Sequence, residues 1–88
     1  MNTKLNVNLS FGEFLKVHRQ GEELSQTDFA KELGVSKQRL SDIEANRFNI
    51  SIKLAKEIAK KLDLPAEWLV KLALQDQLRK ERVKLKVG

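Results

Sequence analysis

The sequence predicts an all-α fold of five short helices, with alternating segments at both ends that could add short strands. Apolar residues recur three and four positions apart in five runs, which is the spacing of one helix face. Four of these runs follow a serine that can cap a helix, at Ser10, Ser25, Ser36 and Ser51, and the fifth follows Pro65. The chain has 88 residues and no cysteine, so neither a disulfide framework nor a thiolate metal site holds it together.

Capping signals place the first two helices. Ser10 and Glu13 have the spacing of a capping box, so helix 1 is expected to begin at Ser10. It should run to about Gln20 and end with Gly21 in the left-handed conformation. Helix 2 should begin in the same way at Ser25 and be short.

A sharp turn at Gly34 joins helix 2 to helix 3. Gly34 can take the left-handed conformation, Ser36 then caps helix 3, and Asn46 is expected to end it. The apolar positions of both helices form one inward face, made by Phe29, Leu33, Val35, Leu40 and Ile43. The helical period then puts Gln38, Ser41, Asp42 and Ala45 on the outer face, flanked by Lys37 and Arg39.

The fifth helix has two apolar stripes. One contains Trp68, Leu69, Leu72 and Ala73 and should face the core, whereas the other contains Val70, Leu74 and Leu78 on the opposite side. A helix that is apolar on two sides must bury both, and a chain of this length has one core to offer. The second stripe therefore predicts a partner, and a second copy of the chain is the economical choice.

Both ends alternate apolar with polar residues, which is the period of a half-buried strand. The apolar positions are Leu5, Val7 and Leu9 at one end and Val83, Leu85 and Val87 at the other. These segments could pair with each other, pair across a dimer, or fray as ordinary termini. The sequence is thus divided into an arm or strand (1–9), a helical domain (10–78) and a basic strand or tail (79–88). The expected dimer interface is Val70, Leu74, Leu78, Val83 and Leu85.

The charge is unevenly distributed. The chain carries a net charge of +5, but residues 1–35 have four basic and five acidic residues, whereas residues 36–63 have seven and four. The excess begins at helix 3, which is compatible either with a polyanionic partner or with an ordinary solvated surface. No apolar run approaches the ~18 residues of a membrane span, so a cytoplasmic protein without a membrane partner is expected.

Helices 2 and 3 resemble the helix-turn-helix of the phage-repressor (XRE) family. The likeness rests on Gln26 at the start of helix 2, on Ala30 and Gly34, and on the inward set of five residues. It extends from about Ser10 to Leu72, since "LAKEIAKKLDLPAEWL" is similar to the family's fourth helix and the start of its fifth. The resemblance implies a five-helix repressor-like domain whose helix 3 reads double-stranded operator DNA in the major groove, as a homodimer.

The resemblance also implies which residues meet the DNA. The expected base contacts are Lys37, Gln38, Ser41 and Asp42, because glutamine can bond adenine and lysine can bond guanine. Asp42 needs a cytosine amino group, or neutralisation by Arg39 or Lys37, because phosphates repel a carboxylate. Phosphate contacts are expected at Ser25, Gln26, Ser36, Arg39, Arg47, Asn49 and Lys53.

Two further residues have a structural role in the family that the chain resembles. Arg19 and Glu44 occupy the positions of an ion pair that supports the motif, so Glu44 is not expected to touch DNA. His18, the single histidine, has no second ligand at metal spacing and is expected to pack along helix 1. We therefore expect a protein that is not an enzyme and binds no cofactor and no metal.

The biological role has three interpretations. The segment "PAEWLVKLALQDQLRKERVKLKVG" is similar to the helix-turn-helix antitoxins of toxin–antitoxin modules, which implies repression of the protein's own operon and a cognate toxin as partner. The alternatives are a free-standing phage or plasmid repressor, and an adaptor that uses the same fold to bind another protein.

Overall fold

The computed structural model describes residues 9–87, and the side chains of residues 9–81. It contains five helices: α1 (Phe11–Gly21), α2 (Gln26–Leu33), α3 (Lys37–Glu44), α4 (Ile52–Leu62) and α5 (Ala66–Val87). No strand occurs within residues 9–87, and the predicted all-α class is confirmed. None of the helices in this range is long and apolar enough to cross a membrane.

Serine caps begin the first four helices, as predicted. The box at α1 is complete, because Ser10 Oγ accepts a hydrogen bond from the Glu13 N–H at 3.1 Å and Glu13 Oε1 accepts one from the Ser10 N–H at 3.0 Å. The serine hydroxyls before α2, α3 and α4 accept from the N–H three residues later at 3.0–3.1 Å. Each cap satisfies one of the N–H groups that a helix start leaves without a partner.

The end of α1 differs from the prediction. Gly21 is the last residue of the helix, and the left-handed residue is Glu23, with φ 59°. The Leu24 N–H then donates to the Arg19 carbonyl oxygen at 3.1 Å. This register packs the apolar side chain of Leu24 against the core, whereas an ending at Gly21 would have brought a glutamate there.

The turn between α2 and α3 and the end of α3 follow the prediction. Gly34 is left-handed with φ 75°, and the Val35 N–H donates to the Ala30 carbonyl oxygen at 3.0 Å. Asn46 is also left-handed, with φ 62°, and it lies two residues after the last residue of α3. The turn at Gly34 brings the short helices α2 and α3 together, and the reversal at Asn46 lies between α3 and α4.

The core lies around α3, which packs against α1 and α2, while α5 packs against α4 and α1. Four of the five residues predicted to face inward are buried, and Val35 is half-buried against them. Apolar residues of all five helices and of the loop before α4 complete the buried set: Phe11, Leu15, Phe29, Ala30, Leu33, Leu40, Ile43, Ile50, Ala55, Ile58, Ala59, Leu69 and Ala73.

The predicted C-terminal strand is wrong, because α5 continues as a helix to Val87. The segment 66–87 contains no glycine or proline and is rich in leucine, lysine, arginine and glutamate. Once a helix has begun, each further residue that is fixed adds one hydrogen bond, and residues of these types lose little side-chain freedom in a helix. The predicted strand residues Leu5 and Val7 lie outside the described part of the chain, and so do the side chains of Val83 and Leu85.

The two stripes of α5 follow the prediction except at Trp68 and Val70. Leu69 and Ala73 are fully buried, but the Trp68 side chain is 54% exposed. In the second stripe Val70 packs against the core, whereas Leu74 is 41% and Leu78 is 65% exposed. Leu69 and Ala73 lie on the side of α5 that faces the core. Trp68 directly precedes Leu69, so its side chain leaves the helix in a different direction and points away from the core.

Candidate nucleic-acid interface

Helix α3 presents a polar outer surface over a buried inner one. Leu40 and Ile43 are fully buried, which fixes the orientation of the helix. Lys37, Gln38 and Arg39 are exposed, and Ser41 and Asp42 are half-buried at the same surface. The four expected base-contacting side chains therefore lie on one short helix and reach solvent.

A buried ion pair between Arg19 of α1 and Glu44 of α3 holds this helix in place. Arg19 Nε lies 2.8 Å from Glu44 Oε2, and Arg19 Nη2 donates to Glu44 Oε1 at 3.1 Å. Arg19 Nη1 also donates to the Leu24 carbonyl oxygen at 3.0 Å. The Glu44 side chain is 4% exposed, and its hydrogen bond raises the pKa of Arg19 above its ordinary value. The predicted pair is present, and it links α1, the loop before α2 and α3.

Gln26 joins the same cluster. Its Nε2 atom donates to Glu44 Oε1 at 3.0 Å, and the residue is half-buried. This predicted phosphate contact therefore uses an amide N–H within the fold. Two other predicted phosphate contacts, Ser25 and Ser36, use their hydroxyl oxygens as helix caps.

Asp42 is the centre of a second, exposed cluster. Its Oδ1 atom accepts hydrogen bonds from Gln38 Nε2 at 3.1 Å and from Arg47 Nε and Nη2 at 3.2 and 3.0 Å. The residue that neutralises Asp42 is thus Arg47, not Arg39 or Lys37 as predicted. No helical spacing relates Asp42 to Arg47, because the chain reverses at Asn46 between them.

The remaining cations and the loop after α3 show further contacts that the sequence did not predict. The Arg39 guanidinium lies 4.1 Å above the centre of the Phe48 ring, and Lys80 donates to Asn49 Oδ1. Lys53 is exposed in the first turn of α4. A phenylalanine within a basic segment was the one signal that could have indicated the stacking of Arg39.

Helix α5 braces both the start of α1 and the loop between α3 and α4. Asp76 Oδ2 accepts from the Phe11 N–H at 3.0 Å, and Gln77 Nε2 donates to the Ile50 carbonyl oxygen at 3.4 Å. These contacts join residues far apart in the sequence, so no local pattern pointed to them. Together with Lys80 they hold the loop that carries Arg47 and Asn49.

His18 lies in an aromatic cluster on the other side of α1. Its ring centre is 6.0 Å from that of Phe14 and 6.1 Å from that of Phe29, and the residue is half-buried. The prediction that it packs along helix 1 is confirmed. No group of three or more histidine, aspartate and glutamate side chains that could hold a metal ion occurs among the described residues.

Two short helices joined at a left-handed glycine, with the second anchored by a buried ion pair and open on its outer face, define the helix-turn-helix class. The family profile described as helix-turn-helix matches residues 15–69, more than half of the chain. The protein belongs to this family, in its phage-repressor (XRE) branch, and the predicted membership is confirmed. It is similar to an uncharacterized HTH-type transcriptional regulator of Methanocaldococcus jannaschii, with 48% identity over 46 residues, which are 52% of this chain and 70% of the relative.

Proposed function

We propose that the protein is a transcriptional regulator that binds double-stranded operator DNA through the outer face of α3. The observation that carries the proposal is that α3 is held on its inner side by Arg19, Glu44 and Gln26 while its outer side chains reach solvent. A rigid helix with polar side chains in its first turns is what major-groove reading requires.

The proposal divides the surface residues into two groups. Base edges are read by Lys37, Gln38, Ser41 and Asp42. The phosphates on either side are bound by Ser25, Gln26, Ser36, Arg39, Arg47, Asn49 and Lys53. Exposed cations and helix N-termini favour this second role, because both attract the negative backbone of the duplex.

Selection of bound duplexes from a random pool tests the proposal. The bound sequences are expected to form an inverted repeat with half-sites about one helical turn, ~34 Å, apart. Gln38→Ala should lower discrimination at one base position. Lys53→Ala is the matched control, because loss of a phosphate contact should weaken binding to all sequences and reduce the salt dependence. A parent protein that selects no sequence would contradict the proposal.

The inverted repeat requires two copies, and we propose a homodimer held by α5. The side chains of Leu74 and Leu78 support this, because both are exposed on the same helix. Neighbouring apolar side chains of this kind are stabilised when a partner covers them. Val83 and Leu85 remain proposed interface residues, now as part of a helix instead of a strand. A symmetric pair would present two α3 helices to neighbouring half-sites.

Within this class we propose the role of an autoregulating antitoxin with a cognate toxin as partner. The free-standing phage or plasmid repressor is the alternative, and the adaptor is the third. A toxin-sized reading frame beside the gene, whose product co-purifies with this protein, would support the antitoxin. Integrase or lysis genes nearby would favour the free-standing repressor, and lack of any affinity for duplex DNA would favour the adaptor. None of the three roles needs a catalytic group or a cofactor, and a soluble cytoplasmic location suits each of them.

A further inference from the structure

We propose that Gln38, Asp42 and Arg47 act as one base-reading unit, in which Arg47 is a positioning residue and the base that is read carries an amino group. The inference rests on the proposed DNA-binding function and names the specificity of the same surface. It reassigns Arg47, which the phosphate-contact group above includes, to a role within the reading face.

The first step concerns Asp42. Three hydrogen bonds, one from Gln38 and two from Arg47, all end on Oδ1, at 3.0–3.2 Å. The second carboxylate oxygen, Oδ2, receives none of these bonds. A carboxylate accepts and never donates, so the atom of Asp42 that remains for a base is a hydrogen-bond acceptor.

The second step concerns Gln38. Its Nε2 atom donates to Asp42, which determines which way the amide is turned. The Gln38 carbonyl oxygen therefore points away from Asp42 and is a second acceptor on the exposed face of α3. One N–H of the amide remains as well, so Gln38 keeps the donor and acceptor pair that adenine requires.

Two acceptors side by side limit the bases that fit. In the major groove, adenine N6 and cytosine N4 are donors, whereas guanine presents N7 and O6 and thymine presents O4, all acceptors. The Asp42 carboxylate facing guanine or thymine would meet an acceptor and be repelled, whereas the remaining Gln38 N–H can bond the N7 acceptor of adenine. The unit should thus favour adenine or cytosine on the contacted strand and disfavour guanine and thymine.

The third step concerns Arg47. A bare carboxylate at the major groove would be repelled by the phosphates on both sides, and the Arg47 guanidinium removes most of that repulsion by lying against Oδ1. It does so with two nitrogens, Nε and Nη2, a forked geometry that a lysine ammonium cannot reproduce. Arg47 thereby acts on the base through Asp42.

The experiment selects duplexes from a random pool with the parent protein, Asp42→Asn, Arg47→Gln and Lys53→Gln. In the parent we expect one position per half-site with adenine or cytosine enriched. Asp42→Asn introduces a donor, so discrimination at that position should fall by roughly tenfold and guanine or thymine should be tolerated. Arg47→Gln should lower discrimination at the same position. Lys53→Gln, the matched control, should weaken all duplexes equally and leave every base preference unchanged.

Each departure has a distinct meaning. If Arg47→Gln behaves like Lys53→Gln, with a uniform loss of affinity and a shallower salt dependence, Arg47 is a phosphate contact and the unit is overturned. A position that changes in Asp42→Asn but carries guanine or thymine in the parent overturns the amino-group specificity. A parent without any sequence preference overturns the proposed function itself. All the substituted side chains lie at the surface, and equal melting temperatures of the variants confirm that each is folded.

Discussion

At the scale of single residues, the most consequential group is the buried carboxylate of Glu44. It accepts from two nitrogens of Arg19 and from Gln26, so both of its oxygens are occupied. Removing a charge from water is costly unless such partners compensate it. The pKa of Arg19 is raised in the folded protein, so its positive charge adds to the free energy of unfolding. This stabilisation is fully present below arginine's ordinary pKa and is lost only in more alkaline solution.

We predict that Arg19→Ala destabilises the fold in the absence of DNA. It leaves the Glu44 carboxylate buried with Gln26 as its remaining side-chain donor, which should cost about 3–5 kcal/mol. Urea unfolding of Arg19→Ala, Glu44→Ala and the double variant measures it. The double variant should lose less than the two single losses added together, and simple additivity would mean that the pair contributes nothing.

The exposed pair of Asp42 and Arg47 is the internal control for this prediction. Its arginine side chain is 60% exposed, so water screens the charges. Arg47→Ala should therefore change the free energy of unfolding by only about 0–1 kcal/mol. The two arginines separate a role in stability from the proposed role in base reading.

At the scale of elements, the close approach of α1 to α3 depends on Gly12. A methyl group at this position would lie 3.1 Å from the Ile43 carbonyl carbon, 2.8 Å from Asn46 Oδ1, and well inside van der Waals contact of the Ile43 carbonyl oxygen. Because two of these atoms belong to the backbone of α3, they cannot move without displacing that helix. Gly12 was not recognised from the sequence, since it stands in the first turn of α1, where no turn is needed.

We predict that Gly12→Ala lowers the free energy of unfolding by about 1–3 kcal/mol, the usual cost of overpacking. Gly21→Ala is the matched control, because no atom lies within 4 Å of a methyl group there and the residue is helical. An alanine at that position should stabilise by about 0.4–1 kcal/mol. Chemical denaturation of both variants distinguishes close packing from the general effect of glycine. Equal effects of the two substitutions would show that α1 has room to move away from α3.

At the scale of the whole molecule, the most informative feature is an apolar surface on α5 that is exposed to solvent. Leu74, Leu78 and Trp68 are exposed on this helix, while its inner side holds the core and braces the loop after α3. A partner bound to α5 would therefore meet the same helix that supports the proposed DNA-binding loop. Burial of each large side chain contributes roughly 1.5–3 kcal/mol before entropy is subtracted.

We predict that Leu74→Glu converts a dimer to a monomer, because a carboxylate cannot be buried between two apolar faces. Sedimentation beside the parent protein measures the mass. Val17→Glu is the control, since Val17 is similarly exposed, at 57%, but lies on α1. Operator affinity should fall in Leu74→Glu with the loss of the second half-site. A Leu74→Glu protein that stays dimeric would place the interface elsewhere and leave α5 for another protein.

Several of these features were predictable because their causes are local. A serine caps a helix by accepting a hydrogen bond from the N–H three residues later, and a glycine relieves strain in the turn that contains it. Both interactions act within about one helical turn. The apolar spacing likewise determined which sides of α2 and α3 face inward. Arg19 and Glu44 are too far apart for such reasoning, and their pairing was expected only through the resemblance to the family.

Other features were not predictable, because they depend on where distant elements meet. The alternation at Val83, Leu85 and Val87 is compatible with a strand or with a helix, and the continuation of α5 decides between them. The left-handed residue after α1 is Glu23 and not the predicted Gly21, because the core accommodates the side chain of Leu24. Trp68 pointed outward because the packing of α5 on α4 set the rotation of that helix.

The sequence by itself therefore determined the class of the fold, the starts of the helices and the polar face of α3, since these follow from interactions over three or four residues. Only the tertiary structure decided that Arg47 neutralises Asp42, that Gly12 lets α1 approach α3, and that Asp76 caps α1 from α5. Contacts of this kind form after the chain has folded back on itself, and their energies depend on distances and burial that no local pattern contains.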